Sequence, residues 1–436
     1  MNRNEAAFFE KCEEAKKIAF SFNNPLIVHH YDADGVSSGA IVAGAFLNQG
    51  KTFRRECIKK LDDEAIDRYL ASGENEVIFV DLGGGNKRVN ELKDVVIIDH
   101  HQTEGVEKLQ VNPLLHGIDG GSEISAAGVA YCVFRTSADL AVVGAVGDMQ
   151  SPLFGMNRWI VSEGEKSGEI LVEHDLRFYG RYCRPLVQFL SYSDDPYIPG
   201  ISYREDRSEQ LFSDLGIKTE GERKYSDLNN EEKKSVISAL ANIVPGKKLV
   251  GESYVFPKRP KNETYEANEF STLLNACGRH SKPDIGVRVC LKDESAYEEA
   301  RSLLRLHRKM LREGVEFAFS NVQDLGPVYF LDGRGIIEEG VIGVICGMVL
   351  KQGWKKPIIG VSLGENNTIK ISGRASKTLV ENGLSLGDFM KKAALELGGI
   401  GGGHSVAAGA SIPNKINEFL LFCGDYDFNR KNLDKV

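Results

Sequence analysis

Val95-Val96-Ile97-Ile98-Asp99-His100-His101 is the stretch from which this sequence is read. Four β-branched apolar residues in a row show no polar alternation, so the segment suits a strand buried on both faces, as in a parallel sheet. Such a strand delivers the next residues of the chain to the carboxyl edge of the sheet, where open α/β folds bind ligands. Those residues are an aspartate and two histidines. Three ionisable side chains there are costly unless an opposite charge compensates them. Carboxylate and imidazole are both metal ligands, so the stretch predicts an α/β fold with divalent metal at the sheet edge.

Outward from it, the pattern repeats. Pro25-Leu-Ile-Val28 reads as a first buried strand and runs into His29-His30-Tyr31-Asp32-Ala33-Asp34-Gly35, then into the apolar helix Val36 to Leu47. This is the strand–turn–helix order of a βαβ unit. Glu76 to Val80 is a strand ending at Asp81, ahead of Leu82 and three glycines, and a helix from Leu140 to Gly147 ends at Asp148. Thr52 to Ile58 is a further strand and Leu61 to Leu70 a helix. A single strand-end aspartate fits an ordinary turn or cap equally well; three strands that each end in a carboxylate point to a site. His30, Asp32, Asp34, Asp81, Asp99, His100, His101 and Asp148 supply enough ligands for two ions roughly 3.5–4 Å apart with one bridging carboxylate. Imidazole beside carboxylate favours manganese, zinc or iron over calcium.

The 436 residues suit two or three domains. With 42% hydrophobic and 27% charged residues the composition is that of a globular protein. A net charge of −8 gives nucleic-acid binding no support from the whole chain, although a local basic groove is compatible with it. The eight cysteines form no C-x-x-C pair, which argues against structural zinc and fits buried thiols in a reducing cytoplasm. The charged N-terminus lacks a signal-peptide core, and no apolar run approaches the roughly 20 residues of a membrane span.

Further along, residues 4–20, Ser122–Phe134 (with Ser122 as N-cap), most of Asn157–Tyr179, Asn229–Val244 and Ser295–Phe319 read as helices. Tyr265–Ala276 reads as a helix with Gly278 as its C′ residue. Asp284–Leu291 reads as a strand, and residues 201–225 carry no clear pattern. Arg301, Arg305, Arg308 and Arg312 share one helical face; it either tracks a nucleic-acid backbone or is a solvated face, with Glu298 placed to pair with Arg301. A second α/β unit starts near Gly326, with strands at Val328–Leu331, Pro357–Leu363 and Thr368–Ser372 and helices at Val341–Leu350 and Leu386–Leu397. Its glycine-rich stretch Gly398–Gly403 either lets a backbone approach phosphate or is a plain turn. Arg374, at the end of a strand, could grip a phosphate bidentately or simply be exposed.

His30-x-Asp32-x-Asp34-Gly35, Asp81, Asp99-His100-His101 and Gly147-Asp148 resemble motifs I to IV of the DHH phosphoesterase family. Gly401-Gly402-Gly403-His404 and Ser372-Gly-Arg374-Ala-Ser376 resemble the signature and substrate-binding segment of the DHHA1 domain found after it in one subfamily. Asp195–Gly200 and Glu269–Gly278 resemble the archaeal RecJ-like branch. The resemblance implies a parallel-sheet DHH domain (1–155), a helical and mixed middle region (156–325) and a smaller α/β DHHA1 domain (326–425) facing the first across a cleft. It implies one metal held by His30, Asp32 and Asp81, another by Asp34, Asp81, His100 and Asp148, with Asp81 bridging and manganese, or else magnesium, as the ion. His101 would face the scissile phosphate, with Asp99 orienting the histidines; His29 would be packing or a supporting residue. Arg374, Ser376, Gly402, Gly403 and His404 would hold substrate. The implied activity is two-metal exonucleolytic hydrolysis of single-stranded DNA or RNA to nucleoside 5′-monophosphates, in replication or repair. A phosphodiesterase of short oligonucleotides or cyclic dinucleotides, and a scaffold for a GINS-type replisome complex, are the alternatives.

Overall fold

The structure is a computed structural model that describes residues 3–193, 196–246, 249–350, 355–364 and 367–426. By packing, the chain divides into two compact units, Met1–Leu304 and Arg305–Val436. Asp195, the first residue of the Asp195–Gly200 match, lies outside the described residues.

The first unit opens with helix α1 (Arg3–Ser21), strand β1 (Leu26–His29), helix α2 (Ala33–Asn48), strand β2 (Arg54–Cys57), helix α3 (Asp63–Ala71) and strands β3 (Glu76–Val80), β4 (Asp94–Ile98) and β5 (Leu109–Val111). The five strands make one parallel sheet in the order β2-β1-β3-β4-β5. The unbroken apolar runs have a direct explanation. Val77, Phe79, Val95 and Ile97 enter a core with Ile66 and Tyr69 of α3, while Ile78, Val80, Val96 and Ile98 enter another that includes Phe8, Val36 and Val129. Successive side chains point to opposite faces, and both faces are covered.

Helices α4 (Ala126–Phe134), α5 (Ala138–Gly147) and α6 (Gly155–Lys166) come next in the chain. The helix expected from Ser122 begins four residues later, capped by Ser125, because Ser122 bonds the Asp119 carboxylate instead. The stretch expected to be helical to Tyr179 ends at Lys166; strand β6 (Leu171–Leu176) lies beyond it and, across helices α7 (Leu186–Ser191), α8 (Glu205–Asp214) and α9 (Asn230–Ile243), pairs antiparallel with β7 (Val250–Val255). Residues 201–225, which carry no clear pattern in sequence, include α8, whose Phe212 enters a small core with Phe189 and Tyr225. Helix α10 (Ala267–Arg279) includes Gly278 in its last turn, so that glycine is not a C′ cap. The strand expected at Asp284–Leu291 is helix α11 (Pro283–Cys290): Pro283 sits in its first turn, where a missing N–H costs nothing, and alternate-looking Val287 and Val289 are both buried. Helix α12 (Glu294–Asn321) continues past the boundary between the units. In it Arg301 lies 3.8 Å from Glu263, rather than pairing with Glu298.

In the second unit, strands β8 (Gln323–Asp324) and β9 (Tyr329–Asp332), helix α13 (Ile342–Val349), strands β10 (Ile358–Leu363) and β11 (Thr368–Arg374), helices α14 (Lys377–Glu381) and α15 (Leu386–Leu397), strands β12 (Ile400–Gly403) and β13 (Ala407–Pro413) and helix α16 (Ile416–Asp425) build a six-stranded mixed sheet, ordered β12-β13-β11-β10-β9-β8. The glycine-rich stretch is therefore a strand of a hairpin, paired Gly402 to Gly409, and not a free turn. Among the described residues, no helix is long and apolar enough to cross a membrane.

Candidate metal centre

The polar residues at the ends of β1, β3 and β4 and of helix α5 converge, although they are spread over more than a hundred residues of sequence. Three groups have ligand atoms within 4.8 Å of one another: His30, Asp32 and Asp81; Asp34, His100 and Asp148; and Asp81, His100 and His101. Asp81 faces two ways. Its Oδ2 is 3.4 Å from His30 Nδ1, which is itself 3.0 Å from Asp32 Oδ2. Its Oδ1 is 3.3 Å from His100 Nε2, which lies 3.4 Å from Asp148 and 3.7 Å from Asp34.

Backbone groups hold four of these side chains, those of Asp32, Asp34, Asp99 and His100. Asp32 is the N-cap of α2 and accepts from the Gly35 N–H (3.0 Å). Asp34 lies inside the first turn of that helix, and its carboxylate takes the N–H groups of Ala126 and Ala127 (2.7 and 2.9 Å) at the start of α4. That geometry is a helix N-terminus seating an anion. Gly144 is required beside it, since a Cβ there would collide with Asp34 Oδ1. His100 Nδ1 donates to the Gly120 carbonyl (2.7 Å), which Gln150 Nε2 also reaches (2.9 Å). Asp99 accepts from the N–H groups of Gly84, His100 and His101, and lies 2.9 Å from His101 Nδ1. Asp81 has φ +62, a left-handed conformation uncommon for a side chain other than Gly, Asn or Asp, and its N–H is tied to the Ile98 carbonyl (2.9 Å). Gly120 and Gln150 escaped the sequence reading. Gln150 stands two residues past Asp148, but nothing in the sequence marks the carbonyl of Gly120.

The electrostatics are those of a site short of positive charge. Burial and the neighbouring Asp81 push Asp34 up to about 7, and burial with Asp34 and Asp81 raises Asp148 well above the carboxylate range. Burial opposes charging of His30, but Asp32 and Asp81 outweigh it and raise its pKa to about 11; His100 is raised in the same way by Asp81, Asp34 and Asp148. In the absence of metal, then, protons offset part of the carboxylate charge. Asp81 Oδ1 and His100 Nε2 are buried, and neither completes a hydrogen bond among the described residues. Two unsatisfied ligand atoms pointing at one space, and four carboxylates whose charge equals that of two divalent ions, fit a dinuclear centre. Asp32 and Asp99 go the other way: burial would raise them, but His30 and His101 respectively bring each down to about 2. The ring of His29 is buried, donates to the His30 carbonyl and packs against Gly39 of α2; burial, then Arg55, lowers it to about 4, so it is a neutral packing residue.

The remaining sequence-derived candidates belong to the second unit. Arg374 donates to the Gly373 carbonyl and lies close to Gly343 of α13. Ser376 caps α14, Gly402 and Gly403 end β12, and His404 is exposed in the hairpin turn, its N–H bonded to Ala407 O.

Three family models match the chain: the DHH family N-terminal domain over residues 24–147, the DHH-CID domain over 178–247 and the DHHA1 domain over 326–425. The uncharacterized protein MJ0831 of Methanocaldococcus jannaschii is 30% identical over 442 residues, which cover 94% of this chain and 96% of that one. Among solved structures, RecJ of Thermus thermophilus in complex with Mn2+ superimposes with a TM-score of 0.59 at 18% identity, over 97% of this chain but 55% of that longer one. An exonuclease RecJ bound to manganese gives the same TM-score and identity over 97% and 95%. CDC45 of Entamoeba histolytica gives 0.65 at 15% identity over 96% and 98%. At these identities the solved structures establish a shared fold.

Proposed function

Because the chain belongs to the DHH phosphoesterase family and carries its DHH, DHH-CID and DHHA1 domains, we propose that it is a metal-dependent exonuclease that removes nucleoside 5′-monophosphates from single-stranded DNA or RNA. The observation that carries this reading is the double-faced Asp81, with one oxygen toward His30 and Asp32 and the other toward His100. His30, Asp32 and Asp81 would hold one divalent ion, and Asp34, Asp81, His100 and Asp148 would hold the other. Manganese suits the mixed imidazole–carboxylate donors, with magnesium as the alternative. When bound, the two ions supply an activated water and offset charge on the attacking and leaving oxygens of an in-line displacement.

The protein's own groups have separate tasks. The bond from His100 Nδ1 to Gly120 O fixes the tautomer and turns Nε2 inward as a ligand. Asp99 pairs with His101 and raises its pKa, which favours the protonated imidazole that would donate to a non-bridging phosphate oxygen. With 59% of its side chain exposed, His101 is open to substrate. Arg374, Ser376, Gly402, Gly403 and His404 bind the strand. We assign the three domains to residues 1–155, 156–325 and 326–425, the cellular site to the cytoplasm, and the role to replication or repair. The folds shared with RecJ and CDC45 support single-stranded nucleic acid, and a GINS-type replisome complex, as partners.

The test uses 5′-labelled and 3′-labelled single strands, as DNA and as RNA, with Mn2+. The expected result is stepwise release of mononucleotides from one end. Intact strands after incubation with metal-loaded protein would overturn the exonuclease; cleavage confined to dinucleotides or cyclic dinucleotides would redirect it to small substrates.

A further inference from the structure

Helix α10 lies far along the chain from the ligand loop, yet it touches that loop with one face. Ser271, Asn275 and Gly278 recur at i, i+4 and i+7, so they share a side of the helix. Asn275 Oδ1 accepts the N–H of Ala33 (3.0 Å). A Cβ at Gly278 would collide with the carbonyl oxygen of Tyr31. A Cβ at Gly147, just before Asp148, would lie 2.7 Å from Ala33 Cβ and 3.5 Å from Ser271 Cβ. The same face of α10 is thus packed on the backbone between His30 and Asp34 and on the end of α5 that carries Asp148.

The hydrogen bond has a consequence for the carboxylates. Ala33 opens α2, and the first N–H groups of a helix have no partner within it. Asp32 caps this helix with one oxygen, given to Gly35, and turns the other to His30. Asn275 satisfies Ala33 from outside and so relieves Asp32 of a second backbone donor. Without it, the Ala33 amide is left to compete for the oxygen that faces His30. We infer that Asn275 is a positioning residue for the metal centre: α10 holds the His30–Asp34 loop so that Asp32 keeps one oxygen for a divalent ion. This rests on the two-metal reading of the site.

The experiment titrates Mn2+ into metal-free full-length protein by calorimetry, for the wild type, Asn275→Leu and Asn275→Asp. Loss of a supporting hydrogen bond typically weakens metal binding by about ten- to hundredfold, and that rise in Kd is expected for Asn275→Leu. Asn275→Asp keeps an acceptor oxygen and should restore most of the affinity, which a purely structural role would not predict, because an added charge at a half-buried position is no help to packing. Amide exchange gives a second readout without activity: the Ala33 amide should be protected in the metal-free wild type and in Asn275→Asp, and should open in Asn275→Leu while amides of β3 and β4 stay protected. If Asn275→Leu fails to fold, exchange in the other two proteins decides. Wild-type affinity in Asn275→Leu, no rescue by Asn275→Asp, or an unprotected Ala33 amide in the wild type each overturns the inference alone. A wild type that takes up no Mn2+ overturns the two-metal reading and this inference with it.

Discussion

The polar residues of the two units are held in opposite ways. In the first unit, half of the candidate ligands are anchored by a backbone group, Asp32 by Gly35, Asp34 by Ala126 and Ala127 and His100 by Gly120, and the supporting Asp99 is held by three N–H groups. In the second, Arg374 lies half-buried along α13 and His404 is exposed at a hairpin turn. The difference comes from burial. A carboxylate deprived of water must be given fixed partners before its ligand arrives, whereas the exposed imidazole of His404 is solvated until something charged displaces the water. The first arrangement suits resident ions, and the second a phosphate chain that comes and goes.

Chelation should break the first arrangement most completely. Excess chelator is expected to abolish nuclease activity, and Mn2+ or Mg2+ to restore it; activity that persists without metal, with none found by elemental analysis, would remove the basis for a two-metal site. Asp81→Ala comes next. It removes a ligand from both faces and should lower activity by about a hundredfold or more, far beyond His29→Ala, whose ring packs against α2. Circular dichroism should show Asp81→Ala folded, because the change relieves carboxylate repulsion. Equal and small losses in the two variants would refute the division between ligand and packing residue.

The second unit is probed by Arg374→Ala. Losing one charged contact to phosphate is expected to cost about 1.5–3 kcal/mol, or roughly a ten- to hundredfold rise in Kd for a single-stranded oligonucleotide, with metal content unchanged. The defect should shrink in high salt, where the wild type also weakens. Fluorescence anisotropy on metal-free protein checks it, and an unchanged Kd would remove Arg374 from the substrate contacts.

The smallest effect concerns a buried acid away from the metals. Glu269 of α10 accepts the Tyr182 N–H, and burial, then the charge of Glu266, raises its pKa from 4.5 to about 7. Between those values the unfolded chain gives up the proton while the native state keeps it. Native protein therefore binds more protons, and this group's contribution to stability falls as pH rises from 4.5 to about 7, then levels. Glu269→Gln should flatten that part of the curve in denaturant titrations; an unaltered slope would show that Glu269 ionises normally.

By itself the sequence determined β1, β3 and β4 of the first sheet and the residues at their ends, because uninterrupted apolar runs admit few other structures and a carboxylate at each run's end is a local feature; the three-residue β5 is too short to show such a run. It also determined the family, since His30-x-Asp32-x-Asp34 and Asp99-His100-His101 are contiguous motifs. Tertiary structure decided the rest. Residues 284–291 form a helix because Pro283 opens it and both faces of its valines find a core, which short-range alternation does not reveal. Ser125, not Ser122, caps α4 because Asp119 captures the earlier hydroxyl. The Gly120 carbonyl, Gln150 and Asn275 act on the candidate site through hydrogen bonds between segments distant in sequence. Such partners carry no local signature: any residue with a suitable acceptor would serve, and only the packing of α10 and the Gly120 loop against the sheet's carboxyl edge selects these.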